Sequence, residues 1–134
     1  MDETELRVLT RERVNELMVA KPSANVLQLA EGIDVIAENT FIDCISVRKI
    51  IVSEGVKAID SFAFSECTAL EEVVLPASVT QIGLSIFFQC RNLKKVIVPE
   101  GSFAAEFLTG IVPLEIHGEN SVRFVGLSEK QSLF

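Results

Sequence analysis

Three consecutive segments of 23 residues, 33–55, 56–78 and 79–101, repeat one pattern with no insertion between them. Nothing else in the chain constrains its fold as strongly. Phe41, Phe64 and Phe87 share a column, as do Cys44, Cys67 and Cys90, then Val47, Leu70 and Leu93. The columns Ile50/Val73/Val96 and Val52/Leu75/Val98 follow. A unit this short cannot bury its own apolar face. A fixed period in this range therefore specifies stacked coils, each covering its neighbour.

Within a coil, the run from Leu70 to Leu75 alternates apolar and other residues, as a short half-buried strand does. Pro76 and Pro99 come next and are expected to stop that strand, because proline cannot continue a ladder. Val56–Ile59 reads as a second short extended piece on the other side of the coil. Ser61–Cys67 reads as a helical turn that drops Phe64 and Cys67 into the middle. Gly32, Gly55, Ser78 and Gly101 share one phase, as small residues do at a tight corner. Parallel, in-register stacking of these pieces predicts an α/β repeat solenoid, right-handed, with a sheet along one face.

The pattern I-x-x-x-x-F-x-x-C-x-x-L-x-x-V-x-L-P resembles the BspA-type (Treponema-type) leucine-rich repeat. Ile59, Phe64, Cys67, Leu70, Val73, Leu75 and Pro76 carry it, and Ile82, Phe87, Cys90, Leu93, Val96, Val98 and Pro99 carry it again. The ending Val98-Pro99-Glu100-Gly101-Ser102, followed by Phe103–Leu108, is similar to the family's closing phrase and short helix. The first copy departs, with Val47 for Leu and Ser53 for Pro. The family's alanine before phenylalanine is present at Ala63 but replaced at Thr40 and Ile86. The resemblance implies protein binding and adhesion at microbial surfaces.

The ends need other structure, since an open stack exposes an apolar coil face at each end. Residues 1–25 are expected to form an N-terminal helical cap, 26–110 the solenoid, and 111–134 a C-terminal edge strand and tail. Two parses of the first segment stand. In one, a helix runs from Asp2 to Lys21. In the other, Glu5–Leu9 is a strand and Thr10 caps a helix over Arg11–Ala20. Val26–Leu29 resembles the end of a degenerate earlier repeat. Ile111–Ile116 is expected to add the last edge strand, blunted by Pro113. Ser121–Leu127 then pairs with it or wraps the open end.

Composition narrows function mainly by exclusion. A net charge of -7 argues against nucleic acid and against an anionic membrane surface. No apolar run approaches the roughly 18 residues that span a bilayer, so no membrane insertion is expected. Phe supplies all the aromatic content, with no Trp and no Tyr, which suits a buried core. The acidic start MDETELRVLTRER lacks the basic and apolar regions of a signal peptide. If Met1 is the native start, the expected location is cytoplasmic. If a leader is missing, it is the cell surface or the medium.

No catalytic constellation, cofactor motif or metal motif is present. The single histidine, His117, has no acid or nucleophile at a recognisable spacing. The three cysteines have no CxxC or Cys/His pairing and read as buried free thiols, not zinc ligands. The column Asp43/Glu66/Gln89 reads as a solvated corner. The chain is accordingly expected to be no enzyme and to work without a cofactor.

The outward face of the strands carries the remaining information. With Val73 and Leu75 pointing in, Glu72 and Val74 point out. The columns Lys49/Glu72/Lys95 and Arg48/Glu71/Lys94 both alternate plus, minus, plus. Opposite charges on neighbouring strands contribute about 0.2–1 kcal/mol each and favour this register. Beside them lies Ile51/Val74/Ile97, read as three exposed branched aliphatics in a row. Strand propensity alone would account for that stripe. The functional account makes Ile51, Val74, Ile97, Lys49, Glu72 and Lys95 the contact set for another protein or for a second copy. On that account Val74→Glu leaves folding intact and abolishes association. Two roles follow: an interaction module of binding or adhesion type, or an intracellular scaffold fragment that self-associates through its sheet face or C-terminal strand.

Overall fold

A computed structural model describes residues 7–109 and 123–127 of the chain. Two parallel sheets run along its length. Strands β1 (Val8–Leu9), β3 (Val35–Ile36), β5 (Ala58–Ile59) and β7 (Gln81–Ile82) form a four-stranded sheet in that order. The second has five strands: β2 (Val26–Gln28), β4 (Lys49–Ile51), β6 (Glu72–Val74), β8 (Lys95–Pro99) and β9 (Arg123–Leu127). From β2 to β8 and from β3 to β7, each pairing matches residues one repeat apart, as Ile50↔Val73↔Val96 does. The repeat thus folds as a solenoid of short strands.

Side chains from both sheets meet between them. Phe41, Phe64 and Phe87 are fully buried and stack face to face, at 5.2 Å and 6° for the first pair and 5.5 Å and 20° for the second. Each ring covers the next, so the aromatic column is continuous through the coils. The cysteines beside it are free and buried. Cys67 Sγ donates to the Phe41 carbonyl at 2.8 Å, and Cys90 Sγ to the Phe64 carbonyl at 2.9 Å. These thiols tie each coil to the one before it.

The segment Ser61–Cys67 is a chain of turns and not a regular helical one. Asn39, Phe62 and Ser85 have φ of 59°, 59° and 48°, and Asp43, Glu66 and Gln89 have 61°, 59° and 62°. Two left-handed residues per coil interrupt any helix and let Phe64 point inward between them. The Asp43/Glu66/Gln89 column therefore marks a backbone requirement. At the shared corner, Gly32, Gly55 and Gly101 adopt positive φ. Ser78 meets the corner through its hydroxyl instead, accepting from Gly55 N–H and donating to the Val56 carbonyl.

The N-terminus follows the strand-then-helix parse. Thr10 Oγ1 accepts from the Arg13 N–H and caps α1 (Arg11–Ala20). Val14 of α1 enters the core, and Met18 packs against it. The departures of the first repeat serve this end. Thr40, in place of alanine, donates its hydroxyl to the Leu9 and Ala37 carbonyls, which anchors β1. Ser53, in place of proline, donates to the Ala30 carbonyl.

At the other end, Ser102 Oγ accepts from Ala105 N–H and caps α2 (Phe103–Thr109). Here one expectation changes. β8 does not stop before Pro99 but includes it, because β9 pairs along the whole of β8, from Lys95↔Arg123 to Pro99↔Leu127. Among the described residues the edge strand of this sheet is β9, laid parallel on β8. Ile111–Ile116 and His117 lie outside the described residues.

Candidate functional site

The face of the five-stranded sheet holds the candidate contact set. Parallel pairing in register places Lys49, Glu72 and Lys95 in one row, and Ile51, Val74 and Ile97 in another. The two rows lie two residues apart on each strand, so they share a face and run side by side. The structure brings all six residues together.

The charged row is a connected ladder. Glu72 receives Lys49 Nζ at 2.9 Å through one oxygen and Lys95 Nζ at 3.8 Å through the other. A looser pair of contacts at 3.9 Å joins Glu71 to Arg48 and to Lys94. The Lys49 and Glu72 side chains are about 20% exposed, whereas Arg48 and Lys94 stand in solvent. The inner ladder is the stronger of the two, since shielding from water preserves its attraction.

The apolar row is less exposed than its outward position implies. Ile51 is half-buried, but Val74 and Ile97 are only 5% and 4% exposed. Neither belongs to the inner core cluster, so their burial arises on the outer face. Val74 has a row neighbour on each side, one inter-strand spacing of about 4.8 Å away. The stem of Glu72 stands beside it on the same strand. Val74→Glu therefore buries a charge and cannot serve as a fold-neutral test. That expectation is corrected.

The row forms the floor of an open groove of about 260 Å³. Gln28, Ser53 and Glu54 line one part, and Pro76 and Pro99 another. The prolines' place here was not legible from their role as strand breakers. What signal there was lay in their position two residues beyond Val74 and Ile97 of the aliphatic row.

Among the described residues no cluster of His, Cys, Asp or Glu has the makings of a metal site. No helix there is long and apolar enough to cross a membrane. The Cys44 and Cys67 thiols offer little nucleophilicity. Hydrogen bonding with Cys90, and then burial, raise the pKa of Cys67, and burial raises that of Cys44.

The family model described as "BspA type Leucine rich repeat region (6 copies)" matches residues 20–106. No curated protein matches the chain. Among solved structures, a leucine-rich repeat protein from Eubacterium ventriosum aligns at 21% identity with a TM-score of 0.33. The alignment covers 57% of this chain and 32% of that one, so the present chain spans about a third of its length.

Proposed function

We infer that this chain, which belongs to the BspA-type leucine-rich repeat family, works by holding another protein against its five-stranded sheet. Repeats of this family generally mediate protein–protein contacts and are typically binding modules, not enzymes. The observation that carries the reading is the open groove floored by Ile51, Val74 and Ile97 and flanked by the Lys49–Glu72–Lys95 ladder. An apolar floor gains from excluding water, while the ladder supplies charge of both signs at its rim. The rigid parallel register sets both in place before any partner arrives, which limits the entropy lost on contact. The same logic extends to an adhesion-type role, in which the partner is a protein of another cell or matrix.

A second reading, self-association, has its own support. Among the described residues β9 is the edge of the sheet beyond β8, and an edge strand offers its backbone groups to a second copy.

The test uses Ile51→Glu, because Ile51 is half-buried and a carboxylate there still reaches water. A photo-crosslinking residue at position 51 is expected to capture a partner protein in lysate of the source cells, and one at exposed Lys57 is not. Ile51→Glu should keep the melting temperature within a few degrees and lose the partner. Capture that is indifferent to Ile51→Glu overturns the sheet-face reading. A homodimer in native mass spectrometry that Ile51→Glu leaves intact favours the β9 edge instead.

A further inference from the structure

The end of the solenoid that carries α1 holds a second concave surface, separate from the sheet face. A cleft of about 670 Å³ opens between α1 and the first strands of the two sheets. Leu17 and Met18 of α1, Leu27 and Leu29 around β2, and Ile33 give it an apolar lining. α1 thus covers the first coil only in part: Val14 is fully seated, while Leu17 and Met18 remain half-buried at the cleft wall.

Among the described residues both strands that border the cleft are sheet edges. β2 ends the five-stranded sheet, and β1 ends the four-stranded one. Their free backbone groups follow from the alternation of a strand. The Asn25 carbonyl accepts from Arg48 and Lys49, and the Leu29 N–H donates to Ile51, so both point at β4. Leu27 faces the same way, which leaves the N–H and C=O of Val26 and Gln28 at the open edge. On β1 the carbonyls of Arg7 and Leu9 are engaged by Asp34, Val35 and Ala37, which leaves Val8 facing out. Val8, Val26 and Gln28 all border the cleft.

Charge selects among occupants. The cleft is bordered by three cations, Arg7, Arg13 and Lys21, against one anion, Glu31, on a chain whose net charge is -7. Arg13 is paired with Glu16 at 2.9 Å. Arg7 and Lys21 have no ion pair among the described residues. Gly32 keeps room for the Arg7 guanidinium, since a Cβ there would lie 2.8 Å from its Nη1.

We propose that this cleft binds an extended peptide segment of another protein, which adds a strand to the β2 edge. Alternate side chains of the peptide enter the apolar cleft, and acidic residues at its ends meet Arg7 and Lys21. Backbone hydrogen bonds to Val26 and Gln28 supply the docking geometry, and the lining and rim supply the selection. The inference shares with the sheet-face reading only the premise that the chain recognises proteins. The two surfaces meet only at Gln28, which lines both.

The test pans displayed random octapeptides against the full chain, then measures fluorescein-labelled versions of the enriched peptides by polarisation. The enriched set should alternate apolar residues and carry Asp or Glu. Methylating the backbone nitrogens of one alternate set of residues should weaken binding at least tenfold, and methylating the other set should not. Leu27→Glu should weaken it at least tenfold. Lys21→Glu, a surface change that spares the fold, should do so at low salt and less in 0.5 M salt.

Failure to enrich any peptide over the Leu27→Glu protein overturns the proposal. So does a basic consensus, or indifference to backbone methylation. A homodimer broken by Lys21→Glu, with no enrichment, assigns the cleft to a second copy and overturns it as well. Ile51→Glu must leave peptide binding unchanged; if it abolishes it, the peptide lies on the sheet face and only this proposal falls.

Discussion

At the scale of single residues, the molecule depends on columns more than on positions. Phe64 lies between two parallel rings, so removing it breaks two aromatic contacts and opens a cavity in the middle of the stack. Phe64→Ala is expected to cost about 3–5 kcal/mol, read from the denaturant midpoint at constant slope. A midpoint shift worth under about 1 kcal/mol contradicts the column. The thiols predict a pH dependence. Hydrogen bonding with Cys90 and then burial keep the Cys67 proton in place above the ordinary thiol value of 9.0, whereas the unfolded chain releases it. A group held neutral in this way adds stability that is fully present below that value and lost as pH rises above it. Unfolding midpoints should match at pH 6 and pH 8 and fall by pH 10, with a smaller fall in Cys67→Ala. The sequence revealed these columns through spacing alone. It did not reveal the left-handed residues, because Phe62 and Glu66 are not types that favour positive φ. Contacts with the next coil hold them there: Phe62 N–H donates to the Leu84 carbonyl and Glu66 N–H to the Phe88 carbonyl.

At the scale of strands and helices, register is set twice, by the buried columns and by the charged ladder. Glu72 is the hinge of the ladder, since it contacts a lysine on either side. Glu72→Lys should place three like charges in a row and cost about 1–2 kcal/mol, from two attractions lost and two repulsions gained. Adding Lys49→Glu and Lys95→Glu should restore most of that loss. A triple variant no more stable than the single one shows that the ladder does not set register. Alternating signs one repeat apart were legible in the sequence, because period and register are the same quantity in a parallel stack. The length of β8 was not legible. Proline reads as a stop, and only the arrival of β9 from more than twenty residues away makes Pro99 the last residue of a paired strand. The burial of Val74 and Ile97 was missed for a similar reason. Alternation tells which face a side chain takes, but the crowding on that face comes from its neighbours.

At the scale of the whole molecule, a stack of coils that touch only their neighbours should not open uniformly. Amides of the middle coil, such as Val73, are expected to exchange hydrogen at least about tenfold more slowly than Leu27 of β2, which among the described residues has a paired strand on one side only. Equal protection at both would mean that the end coil unfolds only with the rest. The sequence by itself determined the solenoid, its 23-residue period, its parallel register and the inward columns, because each is a repetition and repetition is visible without coordinates. The tertiary structure alone decided how the ends are finished. Thr40 and Ser53 looked like lapses in a pattern, yet their hydroxyls take the Leu9 and Ala30 carbonyls of the segments that precede the first full repeat. The groove on the sheet and the cleft beside α1 were likewise beyond the pattern. A concave surface is formed by residues from several coils at once, and its depth depends on how side chains pack, which no spacing records.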